Sequence, residues 1–140
     1  MKPIIKYRGG KSKEIPQILP YIPQFTGRYI EPFFGGGALF FYLEPSNAII
    51  NDINENLINF YNDVRNNYYK IKKELSSIEI EYKKNRAVFD KLKEQYPDDR
   101  INDQNEKLYY KIRDMYNGLC ETNLSYGTLY YFINKTSYSG

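Results

Sequence analysis

The sequence predicts an α/β chain, with a strand–helix–strand unit at the N-terminus and a helical segment after it. Three observations predict it. Two apolar runs, at 28–34 and 48–51, flank a glycine triplet and a short apolar stretch. The second run stops at an acid, Asp52. From residue 54 onward apolar side chains recur at helical spacing, with no internal repeat and no low-complexity linker. A length of 140 residues predicts one domain at most. Within it, 1–64 forms the α/β part and 65–140 the helical part.

The elements follow in order. Residues 2–7, "KPIIKY", read as extended, and "RGG" at 8–10 as a turn. Ser12 is placed to cap a short helix, because Ile15, Ile18, Leu19 and Ile22 fall on one face. Pro16 is tolerated in its first turn, and Pro20 and Pro23 end it. "RYIEPFF" at 28–34 reads as a buried strand, Gly35–Gly37 as a tight loop and "ALFFYL" at 38–43 as a helix. "EPSN" at 44–47 is a turn, and "AIIN" at 48–51 is the second strand. Residues 54–64 form a helix with Leu57, Phe60, Tyr61 and Val64 on one face. The charged span 65–96 is helical, with Val88, Phe89, Leu92 and Tyr96 spaced for a face, until "PDD" at 97–99 breaks it. Leu108, Ile112 and Met115 mark another helix ending near Gly118. "TLYYFIN" at 128–134 reads as helix, with strand as the alternative.

Composition narrows the chemistry. The chain has no histidine and one cysteine, Cys120, which removes His-based catalysis, internal disulfides and a zinc constellation. The N-terminus has no signal-peptide pattern, and no apolar run is long enough to span a membrane. These features predict an intracellular, cytoplasmic protein. A net charge of +3 is compatible with nucleic acid without arguing for it. The 16 tyrosines suit base stacking, but compositional drift explains them as well and is preferred.

The glycine loop carries the chemistry. Gly35 and Gly37 make a G-x-G pattern at the carboxyl end of a strand, where open α/β sheets bind ligands. Missing side chains let a ligand approach the backbone. Asp52, ending the second strand, is placed to accept hydrogen bonds from ribose hydroxyls. The plainer reading is a glycine turn with Asp52 capping the next helix. The order strand, loop, helix, strand, acid favours a nucleotide site. The NAD fingerprint is incomplete, because its third glycine falls on Phe40. "RGGKS" at 8–12 is not a phosphate-binding P-loop, because the earlier glycine that motif needs falls on Ile5.

Three segments, "KYRGGK" at 6–11, "YIEPFFGGGALFF" at 29–41 and "IINDINENLINFY" at 49–61, together resemble the N-terminal part of the DNA adenine-N6 methyltransferases. Within that family they are similar to the group acting on GATC-like sites. "YFINKTSYSG" at 131–140 extends the resemblance, and 65–127 match only as generic helix. The resemblance implies a Rossmann-like, S-adenosylmethionine-dependent sheet of which this chain encodes the first strands. It implies that 65–140 is a helical insertion leading into the target-recognition region. It also implies cofactor contacts at Tyr7, Lys11, Phe33, Gly35, Gly37 and Asp52. Many members carry Trp where this chain has Tyr7. Read without the family, Tyr7 is a core aromatic and Lys11 a surface charge. Asn134, Lys135 and Tyr138 would touch the DNA backbone or the displaced base pair, with an ordinary loop as the alternative.

The family's catalytic Asp-Pro-Pro-Tyr does not occur in these 140 residues, where Pro97 in "YPDDR" is the one proline after Pro45. The expectation is therefore an N-terminal methyltransferase fragment, inactive alone and without a metal, whose full-length form acts on duplex DNA. The alternative is a nucleotide- or partner-binding module that complements a second, C-terminal chain. An NAD-type oxidoreductase fragment is disfavoured by Phe40 and "EPFFGGG".

Overall fold

The computed structural model describes residues 1–137. A four-residue helix, α1 (Ile15–Ile18), runs into a 3-10 turn at Leu19–Tyr21. Strand β1 (Tyr29–Glu31), helix α2 (Ala38–Leu43) and strand β2 (Ala48–Ile50) follow. Three more helices follow among the described residues: α3 (Glu55–Gln95), α4 (Gln104–Tyr116) and α5 (Tyr126–Thr136). β1 and β2 form a two-stranded parallel sheet, with Ile30 opposite Ile49. α2 is the crossover that parallel pairing requires.

The first strand is shorter than the apolar run that predicts it. Past Glu31 the ladder skips a residue: the Asn51 N–H donates to the Glu31 carbonyl, but the Phe34 N–H, in place of the Phe33 N–H, donates to the Asn51 carbonyl. Phe34 then buries itself, at 3% exposure, while Phe33 is left 87% exposed. One face of the sheet packs on the core through Ile50. The opposite face is open, with Ile30 at 62% and Ile49 at 45% exposure. The expected buried strand is therefore buried on one side only.

Two apolar clusters hold the chain together. The first joins Ile5, Phe34, Phe41, Leu57, Phe60 and Tyr61. Phe34 meets Tyr61 edge-on at 4.9 Å, an arrangement favoured by ring quadrupoles. The second joins Ile78 of α3, Leu108 and Ile112 of α4, and Leu129 and Phe132 of α5. α3 serves both clusters. It spans the whole stretch predicted as two helical segments, with a single non-helical residue at Asn67 (φ −127°, ψ 25°). Beyond Tyr82 its expected apolar face is largely open, with Val88 at 49% exposure.

Local sequence explains the helix ends. The Asn54 side chain accepts from the Leu57 N–H at 3.2 Å, capping α3. Asp103 does the same for α4 through the Asn105 N–H at 2.8 Å. Gly118, at φ +71°, follows the end of α4 as a left-handed residue. Ser12 caps nothing, since α1 starts only at Ile15 with Glu14 in the N-cap position. Asn54→Ala is expected to lower stability by about 1 kcal/mol, read from the urea midpoint at unchanged m-value.

Residues 2–7 do not join the sheet. Ile5 is buried, and the backbone of Lys6 is hydrogen-bonded to the side chain of Asn134 in α5.

Candidate functional site

The glycine loop lies between β1 and α2, with Gly35 at φ +51° and Gly37 at φ +67°. Both conformations are in the left-handed region that side chains disfavour. Asp52 reaches across from the end of β2. Its Oδ2 accepts from the Gly35 N–H at 2.7 Å, and its Oδ1 accepts from the Asn54 N–H at 2.9 Å. One carboxylate thus fixes both the glycine loop and the start of α3. An ionised carboxylate has about four acceptor positions, so these two bonds leave acceptor capacity for a ligand.

Tyr7 closes the other side. A β-carbon placed on Gly35 would lie 3.1 Å from the Tyr7 ring, and one on Gly36 would lie 2.9 Å from the Tyr7 Cβ. Gly37 has a different neighbour: a β-carbon there would lie 2.3 Å from Cζ of Phe34. So Gly35 and Gly36 accommodate Tyr7, whereas Gly37 accommodates the core.

Of the predicted cofactor residues, the fold gathers Tyr7, Gly35 and Asp52 into one place. Gly37 ends the same loop and packs on Phe34. Lys11 stays at the surface, 3.4 Å from the Glu14 carboxylate. Phe33 projects into solvent beside the loop. A groove of about 530 Å³ runs along the N-terminal segment past Tyr7 and Gly36, flanked by Lys2, Lys6 and Lys135. A second, more apolar groove of about 560 Å³ lies between α3 and α5, along Val64, Tyr68, Ile71 and Tyr131. Gly35 and Asp52 line neither groove.

The predicted DNA residues fall at the end of α5. Asn134 is buried, at 7% exposure. Its Oδ1 accepts from the Lys6 N–H and its Nδ2 donates to the Lys6 carbonyl, both at 2.8 Å. The Lys135 ammonium sits 5.2 Å over the Tyr131 ring. Partial burial, and then the nearby positive charge of Lys6, hold Lys135 below the usual lysine range. Tyr138 lies outside the described residues.

Tyr130 beside the site, and two acids that fasten α5, have no signature in the linear motifs. Tyr130 stacks on Phe60 at 4.9 Å. Burial first, then the fields of Tyr116, Tyr7 and Asp52, push its hydroxyl up. Glu74 and Asp63, both from α3, bind the start of α5. Glu74 accepts from the Ser125 N–H at 3.0 Å and from the Ser125 and Thr128 hydroxyls, and Asp63 accepts from the Gly127 N–H at 2.6 Å. A spacing signal did exist for α5. Tyr126, Tyr130 and Asn134 recur every four residues and share one helix face. Among the described residues no group of three or more His, Cys, Asp or Glu side chains is placed to hold a metal. No helix among them is long and apolar enough to cross a membrane.

The chain is similar in sequence to known proteins. The D12 class N6 adenine-specific DNA methyltransferase family matches residues 7–138. The type II methyltransferase M.MjaIII of Methanocaldococcus jannaschii is 35% identical over 152 residues, covering 100% of this chain and 47% of that protein. The type II methyltransferase M1.LlaDCHI of Lactococcus lactis subsp. cremoris is 34% identical over 128 residues, covering 88% of this chain and 44% of that protein. The DNA adenine methylase of Salmonella typhi is 31% identical over 139 residues, covering 97% and 41% respectively. The chain spans less than half the length of these relatives.

Proposed function

The chain belongs to the D12 class of N6 adenine-specific DNA methyltransferases, and from that membership we propose that it carries the S-adenosylmethionine-binding part of an enzyme that methylates N6 of adenine in duplex DNA. In this reading residues 1–64 are the first part of a Rossmann-like sheet, and 65–140 lead into the segment that recognises the target. The observation that carries it is the Asp52 carboxylate. It is fixed by the Gly35 and Asn54 N–H groups, retains acceptor capacity and faces the loop on which Tyr7 packs.

S-adenosylmethionine supplies an electrophilic methyl group that an amine attacks directly. Toward it Asp52 accepts hydrogen bonds from the ribose hydroxyls. Tyr7 and the exposed ring of Phe33 offer flat apolar surface to an adenine. Lys11 exchanges its weak surface pairing with Glu14 for a carboxylate. Gly35 keeps the backbone open to close approach. Lys135 and Tyr138 meet DNA, and a restriction–modification setting is the one we propose, supported by the type II names of the relatives.

Two measurements test this reading. Calorimetric titration of residues 1–140 with S-adenosylmethionine is expected to show weak binding, with Kd of roughly 0.1–1 mM. Asp52→Ala is expected to abolish it; equal binding by the variant would overturn the assignment. Methyl transfer to unmethylated duplex DNA is expected to be absent for residues 1–140 alone, since they contain no Asp-Pro-Pro-Tyr. Turnover by that polypeptide would sink the second expectation.

A second reading starts from the open sheet face at Ile30 and Ile49, which further polypeptide would cover. There the chain is completed by a separate polypeptide that bears Asp-Pro-Pro-Tyr. Co-expression with such a chain, followed by co-purification and recovered methyl transfer, distinguishes it.

A further inference from the structure

We infer that Asn134 is a positioning residue: it holds the N-terminal segment, and with it the Tyr7 ring, against the glycine loop, and so ties the end of α5 to the cofactor side. The consequence for binding rests on the cofactor reading above.

A buried asparagine inside a helix is neither a good helix former nor an apolar packing residue. Here both ends of its amide are used on one residue, the Lys6 N–H and the Lys6 carbonyl. This is the pattern of a strand neighbour, supplied by a side chain. Asparagine carries a donor and an acceptor at that reach; aspartate lacks the donor, and alanine lacks both. Lys6 also donates from Nζ to the Lys135 carbonyl at 3.1 Å, so the two segments are joined by three hydrogen bonds. The contacts continue without a gap. Lys6 precedes Tyr7, Tyr7 packs on Gly35 and Gly36, and the Gly35 N–H binds Asp52. Among the described residues, Asn134 is the one hydrogen-bond partner of the Lys6 backbone.

The chain has no tryptophan, so Tyr7→Trp gives a single fluorescent reporter at the ring in question. In that background Asn134→Ala is expected to shift the emission of the introduced indole to longer wavelength. It should speed amide exchange at residues 4–11 at least tenfold, with exchange in α3 and α4 unchanged. Half-saturation with S-adenosylmethionine should rise at least fivefold. Unchanged emission and unchanged exchange at 4–11 would overturn the positioning role, whatever the ligand does. Altered emission and exchange, with no ligand response in the parent or the variant, would keep the positioning role and remove the cofactor reading. If far-UV circular dichroism shows that Asn134→Ala does not fold, Asn134→Asp decides by the same readings. It keeps the acceptor for the Lys6 N–H and loses the donor to the Lys6 carbonyl.

Discussion

Replacing Glu74 by alanine is expected to lower stability by about 3 kcal/mol and to loosen the docking of α5 on α3. The Glu74 side chain is 13% exposed and receives the Ser125 N–H together with the hydroxyls of Ser125 and Thr128. Thr128 is fully buried, so its hydroxyl has no water to turn to when the carboxylate is removed. A hydrogen bond to a charged group contributes about 1.5–3 kcal/mol, and three donors here share one acceptor group. The carboxylate also lies at the N-terminal end of α5, where negative charge is favoured. Lys70, 3.8 Å from Glu74 and exposed, adds little. Glu74→Gln keeps one acceptor oxygen and should lose about half as much. Urea denaturation measures both variants; a loss under about 0.5 kcal/mol for Glu74→Ala would show that water replaces the carboxylate at no cost.

Gly37→Ala is expected to be as damaging or worse, costing about 3 kcal/mol or more. Two independent causes add. The backbone at φ +67° disfavours a side chain by about 1–2 kcal/mol. The new methyl would also lie 2.3 Å from the Phe34 ring, which is buried among Phe40, Phe41 and Tyr61 and has no room to retreat. Overpacking of this kind costs about 1–3 kcal/mol. Gly35→Ala meets the Tyr7 ring at 3.1 Å instead, and that ring belongs to a residue 37% exposed, so it can move. The expected order of thermal midpoints is parent, then Gly35→Ala, then Gly37→Ala. Equal midpoints for the two alanine variants would contradict the division of the loop into a core-facing and a Tyr7-facing part.

That division is also where the sequence was least transparent. "GGG" reads as one feature that admits a ligand to the backbone, but the triplet meets two aromatic neighbours for two reasons. Neither neighbour is predictable from spacing, because Tyr7 comes from a segment 28 positions before Gly35 and Phe34 turns inward where the ladder skips a residue after Glu31. The elements themselves were legible. α2 and β2 start at the predicted residues, because apolar runs bounded by glycine, proline and asparagine leave little choice. The helix expected at 128–134 forms as part of α5, where Leu129 and Phe132 pack on Ile78 and Ile112. The 28–34 run is less buried than its apolar character predicts, since an apolar strand predicts a neighbour on each face and the described residues supply one. The roles of Glu74 and Asp63 are not legible in the sequence, because charged residues in a long helix look like a solvated surface and their partners lie 51 to 64 positions away. The candidate site was legible as far as Asp52 and the loop, because both sit at strand ends. Asn134 was readable as a family motif but not as a clamp, since its partners are backbone atoms at the other end of the chain.

That distance has a consequence during synthesis. Lys6 and Asn134 are separated by 128 positions. At about 5–20 residues per second, the segment bearing Tyr7 waits on the order of ten seconds after leaving the ribosome's catalytic centre before its partner is even polymerised. The parallel pairing of β1 with β2, the α2 crossover and the early turns of α3 can all form in that interval from nearby sequence. The N-terminal segment cannot take its final place. It is made before β1, β2 and α3 and is fastened after them. Nascent chains arrested shortly before residue 134 should therefore carry a folded glycine loop and an unfastened, protease-sensitive N-terminal segment.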